Sequence, residues 1–98
     1  MKAEFHPAAS EEIVETAVFY DNEVPGLGDR FISEVERVVE LLREQQQIGQ
    51  QIEKEFRRIV LARFPYSLIY RIEPKKNWVV AVAHQRRRPD YWRERIGR

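Results

Sequence analysis

The first quarter of the chain places apolar residues at the spacing of an amphipathic α-helix. We interpret residues 2–6 as a short strand, because Pro7 restricts the residue before it to extended conformations. Proline also suits the first turn of a helix, so a helix of about four turns is predicted to begin at Pro7. The apolar residues of its predicted inner face are Ile13, Ala17 and Tyr20, with Val14 and Val18 beside them.

A second helical pattern follows the turn at residues 25–28, whose two glycines are free to take a positive φ. Its apolar residues recur at i, i+4, i+8, i+11 and i+15, and they are Leu27, Phe31, Val35, Val38 and Leu42. Acidic residues mostly point away from this stripe, so the two helices are predicted to form an antiparallel hairpin with an acidic outer surface. The glutamine-rich segment 43–55 ends the second helix near Gly49, and we expect it to be a linker or a frayed last turn.

From Phe56 the pattern changes to that of β-strands. Three runs are rich in valine, isoleucine and aromatic residues, at residues 56–63, 66–72 and 78–84. The short turns between them favour an antiparallel meander, and the last run is apolar on both faces, which predicts a central strand. After Pro89 the tail forms either a short helix or an extended arm.

The predicted fold class is therefore α+β, with residues 1–98 forming one domain. An N-terminal strand is followed by a helical hairpin packed on one face of a small, mainly antiparallel sheet, in the order β-α-α-β-β-β. The other face of the sheet is expected to be partly open.

The composition narrows the class of protein. With 43% hydrophobic and 34% charged residues, the chain is expected to be a soluble globular protein. It contains no cysteine, which excludes disulfides and thiolate-bound zinc and suits a reducing cytoplasm. No apolar run approaches the roughly 20 residues that span a bilayer, so we expect no membrane association and a cytoplasmic location.

Charge is segregated along the chain. Residues 1–49 carry four basic and eleven acidic side chains, whereas residues 50–98 carry thirteen basic and five acidic ones. One end or face can therefore attract phosphate or carboxylate while the other repels it.

The arginines of the second half are the candidate binding residues. Arg57 and Arg58 must point to opposite faces of their strand, so at least one of them lies near the open face. Guanidinium groups on a sheet make bidentate contacts with phosphate or carboxylate, although surface arginines also serve solubility alone. The expected contact residues are Arg57, Arg58, Arg63, Arg86, Arg87, Arg88, Tyr91 and Trp92.

Catalytic chemistry has few candidates. The only histidines, His6 and His84, lack the spacing of a metal site, and we expect neither a metal nor another cofactor. We interpret His84 as a ring packed at a strand end rather than a general base. Cleavage of RNA would need an acid and a base besides cations, and arginine supplies only the cation. Whether the protein is an enzyme stays open, with a binding role favoured.

Two segments resemble a known family of toxins. Residues 57–72 and 79–95 are similar to the RelE/ParE superfamily of type II toxins, most closely to its ParE-like, plasmid-stabilisation branch. The most specific parts of this resemblance are Phe64-Pro65-Tyr66 with Tyr70 four residues later, and the pattern His84, Arg87, Pro89 and Trp92.

The resemblance implies a growth inhibitor that is neutralised by a cognate antitoxin, whose disordered segment folds on binding. RelE-type members cleave messenger RNA on the ribosome with basic residues, and the positions that match are Arg58 and Arg86, with His84 nearby. Here Ser67, Val60 and Trp92 stand where other functional residues of those nucleases occur. ParE-type members inhibit DNA gyrase without chemistry of their own, so the resemblance favours gyrase as the target over ribosome-bound message.

Overall fold

The two helices form where the apolar spacing predicts them. The computed structural model describes residues 1–97, with helix α1 at Pro7–Glu23 and helix α2 at Leu27–Glu44. At the start of α1, the backbone N–H of Ala8 donates to Nδ1 of His6 at 3.0 Å, which satisfies one of the free donors of the first turn. Within residues 1–97, neither helix is long and apolar enough to cross a membrane.

The buried face of α1 is narrower than the pattern indicated. Ala17 is buried, and Ile13 and Tyr20 pack against the core as predicted. Val14 and Val18, however, leave 60% and 54% of their surface exposed. They lie roughly 100° or more around the helix from the centre of the buried stripe, so they face solvent.

The two glycines before and within α2 have different roles. Only Gly26 takes a positive φ, at 88°, whereas Gly28 lies in the first turn of α2. A Cβ atom at Gly28 would lie 2.3 Å from the carbonyl oxygen of Ala17, closer than real Cβ contacts allow. The Gly28 N–H also donates to Oδ1 of Asp21 at 2.7 Å. Close approach of the helices therefore requires this glycine. The buried apolar residues beyond it are those predicted: Phe31, Val35, Val38 and Leu42.

We expect Gly28→Ala to lower the free energy of unfolding by about 1–3 kcal/mol, the usual cost of forcing extra volume into a packed contact. In an uncrowded helix the same change stabilises by about 0.5–1 kcal/mol, so the sign of the effect is diagnostic. Urea denaturation measures it. Gly97→Ala is the control, since within residues 1–97 a Cβ there meets no atom of a non-adjacent residue within 4 Å. Equal stability of the two variants would contradict the crowding argument.

Within residues 1–97 the sheet contains five strands, and the α+β architecture predicted from the sequence is confirmed. Their order across the sheet is β1-β5-β4-β3-β2, with β1 parallel to β5 and every other pair antiparallel. The strands are β1 Ala3–Phe5, β2 Gln50–Glu53, β3 Phe56–Val60, β4 Tyr66–Glu73 and β5 Lys76–His84. Strands β3 to β5 form the predicted meander, and β5 lies between β1 and β4, covered on both faces.

The glutamine-rich segment differs from the expectation of a linker. It forms a 3₁₀ turn at Gln46–Ile48 and then the edge strand β2. The Tyr70 hydroxyl donates to the Gln46 carbonyl at 2.6 Å and accepts from the Gly49 N–H at 3.0 Å, which fixes the turn. An edge strand with a solvated side needs little apolar patterning, so the polar sequence gave no strand signal.

The two faces of the sheet bury different residues. The helices cover one face, whose buried side chains include Leu68, Tyr70, Val79 and Val82. A register shift opposite Ile69 and Tyr70 leaves Val80 as an extra residue in β5, so Val80 and Ala81 both join the second cluster on the opposite face. The tail covers part of that face with a short 3₁₀ helix at Tyr91–Arg95, hereafter the tail helix.

Candidate functional site

A pocket of about 240 Å³ lies on the sheet face opposite the helices. Strands β2 to β5 and the turn after β5 contribute its walls. Its basic side chains are Arg58, His84, Arg87 and Arg88, and its apolar side chains include Ile52, Ile69, Ala83, Pro89 and Tyr91. Because guanidinium groups surround an apolar floor, the pocket combines charge attraction with a surface that can bury carbon. We call it the arginine pocket.

Strand alternation decides which of the two adjacent arginines of β3 enters the arginine pocket. Arg58 lies on the open face and is exposed, and its Nη2 donates to Oε1 of Gln50 at 3.2 Å. Arg57 points to the helix face, where its Nη1 donates to the carbonyl of Gly49 at 2.8 Å. The predicted opposition of the two side chains is confirmed, and Arg57 stabilises the segment before β2.

The turn after β5 presents three exposed arginines on a hydrogen-bonded frame. The Arg86 N–H donates to Nδ1 of His84 at 3.0 Å, and the Arg87 N–H donates to the His84 carbonyl at 2.9 Å. The His84 ring also packs edge-on against Tyr66 with 5.0 Å between centroids. His84 therefore holds the turn, which agrees with its interpretation as a packed ring at a strand end.

Tyr91 of the tail helix forms one wall of the arginine pocket. The Arg87 guanidinium carbon lies 3.8 Å from the centroid of its ring, a close cation–π contact. The Tyr91 hydroxyl donates to Oε2 of Glu12 at 2.7 Å. Burial, and then this hydrogen bond, raise the pKa of Tyr91 well above its usual value, so the phenol stays protonated.

Comparison with known proteins places this chain in a family. Residues 3–89 match the family described as the ParE toxin of the type II toxin–antitoxin system parDE. The chain belongs to the ParE toxin family. A solved structure, titled the chromosomal ParDE toxin–antitoxin system from P. aeruginosa, has the same fold, with a TM-score of 0.63 and 17% sequence identity. The match covers 86% of this chain and 95% of that one. No curated protein sequence gives a significant match.

Membership of the ParE family makes the chain a toxin of a type II toxin–antitoxin system and implies a cognate antitoxin as its partner. The family match ends at Pro89, before the tail helix. Tyr91, Trp92 and Arg95 therefore belong to a part of this ParE-family toxin that the family match does not describe.

Of the eight contact residues expected from the sequence, five lie in or beside the arginine pocket of this ParE-family toxin, whereas Arg57, Arg63 and Trp92 do not line it. The arginine pocket brings together Arg58, Arg87, Arg88 and Tyr91, and Arg86 is exposed on the turn beside it. Arg63 sits in the loop between β3 and β4, with φ 68°, and does not line the pocket. Trp92 is fully buried against Phe56, with 4.7 Å between ring centroids, so it anchors the tail.

Several residues of the site were not among the contact residues expected from the sequence. Ser67 and Glu53 line the arginine pocket, and Glu53 forms a salt bridge with Arg93 of the tail helix. Glu12 of α1 reaches the tail from a position 79 residues away from Tyr91. A single glutamate on the flank of an amphipathic helix carries no sequence signal of such a contact.

The arrangement can bind an anion. Ion pairing with Arg93 offsets the one carboxylate of the pocket lining, so the guanidinium groups dominate its charge. Within residues 1–97, no three histidine, aspartate or glutamate side chains gather as a metal site would require. Carboxylate or phosphate groups of a macromolecular partner match this chemistry.

Proposed function

We propose that this ParE-family toxin arrests growth in the cytoplasm by binding DNA gyrase, using the arginine pocket and the adjacent turn as its contact surface. In this role the toxin is an inhibitor with no reaction of its own. Its contact residues are Arg58, Arg86, Arg87, Arg88 and Tyr91.

The supporting observation is that the arginine pocket supplies positive charge but does not supply the proton-transfer groups that cleavage requires. Phosphodiester cleavage needs a group that removes a proton and another that supplies one. In the pocket lining, Glu53 is ion-paired with Arg93, and Nδ1 of His84 accepts the Arg86 N–H. Arginine remains protonated and cannot serve as a base. Binding through guanidinium groups needs no group that removes or supplies a proton.

The same surface suits the antitoxin. We propose that an acidic antitoxin segment, disordered when free, folds onto the basic half of the toxin and competes with the target there. The arginines at residues 86–88 are exposed, so they are available for such a contact. Neutralisation would then follow from occupation of the target-binding surface.

A ribosome-dependent endoribonuclease is the second candidate. The observation that favours it is that Arg58 and His84 line the same pocket and Arg86 is exposed beside it. Arg58 and Arg86 are the positions that match the basic residues implied by the resemblance to RelE-type nucleases. It predicts site-specific cleavage of message that disappears in Arg58→Ala and Arg86→Ala variants.

Pulse labelling after induction of the toxin without its antitoxin separates the two functions. We expect DNA synthesis to fall within minutes and before protein synthesis, because gyrase inhibition stops replication. Purified gyrase should lose supercoiling activity when the toxin is added. Earlier loss of protein synthesis, together with unchanged supercoiling at high toxin excess, would replace the gyrase proposal with the nuclease.

A further inference from the structure

We propose that Glu12 of α1 is a positioning residue of the arginine pocket, which fixes the Tyr91 ring and through it the guanidinium of Arg87. The effect on target binding rests on the proposed function, whereas the effect on Arg87 itself does not. A chain of contacts links Glu12 to Arg87, and it begins at the edge of β5.

Strand β5 extends beyond its neighbour β1. The parallel pairing ends at Phe5 and Val79, although β5 continues to His84. Backbone groups of a buried strand need hydrogen-bond partners, and beyond this point side chains supply them. The Val82 N–H donates to Oε1 of Glu12 at 2.9 Å, and Nη1 of Arg95 donates to the Val80 carbonyl at 2.9 Å.

Glu12 and Arg95 also bind each other. The two nitrogens of the guanidinium donate to the two carboxylate oxygens at 3.0 and 2.6 Å, and each side chain is only 15% exposed. A bidentate pair of this kind has a defined orientation. The ion pair therefore takes the place of a neighbouring strand along β5, and the backbone of β5 holds the carboxylate in one position.

The fixed carboxylate sets the position of Tyr91. Its Oε2 accepts the Tyr91 hydroxyl at 2.7 Å. The Arg95 guanidinium lies 5.0 Å from the ring centroid as well. Glu12 and Arg95 together fix both the hydroxyl and the ring plane.

The ring in turn singles out Arg87 among the three arginines of the turn. An exposed arginine has many rotamers, and ordering it before binding lowers the entropic cost of the complex. Arg87 lies 3.8 Å from the Tyr91 ring, whereas Arg88 pairs with Asp90 at 3.1 Å. Glu12 thus orders one guanidinium of the arginine pocket without touching it.

The test compares Glu12→Gln with the matched control Glu15→Gln, which removes one charge from an exposed site on the same helix. In NMR spectra, the Arg87 Nε–Hε signal should be shifted by the Tyr91 ring current in the wild type and in Glu15→Gln. We expect Glu12→Gln to lose most of that shift. The concentration of toxin that halves gyrase supercoiling should rise roughly tenfold, the size of one cation–π contact.

Two further variants separate positioning from general stability. Tyr91→Leu removes the ring, and we expect the double variant Glu12→Gln/Tyr91→Leu to inhibit gyrase no worse than Tyr91→Leu alone, because both changes act through one path. Gly28→Ala, destabilised between the helices, should keep the Arg87 signal and the inhibition. All assays are run below the melting temperature of every variant.

An unchanged Arg87 signal in Glu12→Gln overturns the inference, and so does an additive double variant. If Glu12→Gln fails to fold, Tyr91→Phe decides, since it retains the ring and loses only the hydrogen bond to Glu12. In Tyr91→Phe, the Arg87 signal should lose part of its ring-current shift, and an unchanged signal would overturn the inference. If wild-type toxin leaves gyrase unaffected, the proposed function fails while the NMR result still decides the role of Glu12.

Discussion

Replacing Trp92 with alanine should lower the free energy of unfolding by about 3–5 kcal/mol, the range measured for large buried aromatics. Trp92 has no exposed surface and packs against Phe56 in the cluster under the tail helix. A domain of this size is stabilised by only about 5–15 kcal/mol, so the loss is a large fraction of the total. Thermal unfolding should show a fall in melting temperature on the order of 20 °C.

Two control variants test whether the loss of stability comes from the buried ring of Trp92. Phe19 is an aromatic residue with 55% of its surface exposed, so Phe19→Ala should change stability by about 0.5 kcal/mol or less. Trp92→Phe keeps most of the apolar contact and removes an indole N–H that has no acceptor within residues 1–97. It should cost much less than the alanine variant. A Trp92→Ala protein as stable as Phe19→Ala would mean that the tail helix contributes nothing to the fold.

Reversing two charges in the arginine pocket should abolish growth arrest. We expect the double variant Arg58→Glu/Arg87→Glu to weaken target binding by at least about 30-fold, because arginine is enriched among the residues that dominate interfaces. Both side chains line the pocket, from β3 and from the turn after β5. Survival of cells after induction, and inhibition of purified gyrase by the variant, measure the effect.

Arg30→Glu/Arg43→Glu is the matched control for this double reversal. It changes the net charge by the same amount on the helical hairpin, where both arginines are exposed. The control should arrest growth as the wild type does. If the two double variants lost toxicity equally, net charge rather than the arginine pocket would govern the activity. If both kept it, the pocket would not be the target-binding surface.

The helices and the meander could be predicted because their residues carry a local periodic signal. The stripe of α2 from Phe31 to Leu42 is buried as its spacing indicates, and the apolar run in β5 is the covered central strand. Strand β2 lacked such a signal, since hydrogen bonds to β3 rather than buried side chains define it. Gly28 was assigned to a turn because sequence alone does not reveal how closely two helices approach.

The site was also predictable only in part, because the sequence alone does not reveal how its side chains pack. Strand alternation requires that Arg57 and Arg58 face opposite ways, but it does not say which of them meets the open face. From the sequence alone, a tryptophan in a charged tail is compatible with exposure or burial. In the structure Trp92 packs on Phe56 and is buried.

The sequence by itself determined the fold class, the charge segregation and the resemblance to ParE-like toxins, because these follow from local periodicity and from residue identity along the chain. Only the tertiary structure decided that Arg58, Arg87 and Tyr91 form one pocket and that Glu12 holds it. Those contacts join residues up to 83 positions apart in the case of Glu12 and Arg95. They arise because strand β5 continues beyond the end of β1, so side chains from α1 and the tail helix bind the free edge of β5. No local sequence pattern encodes this geometry.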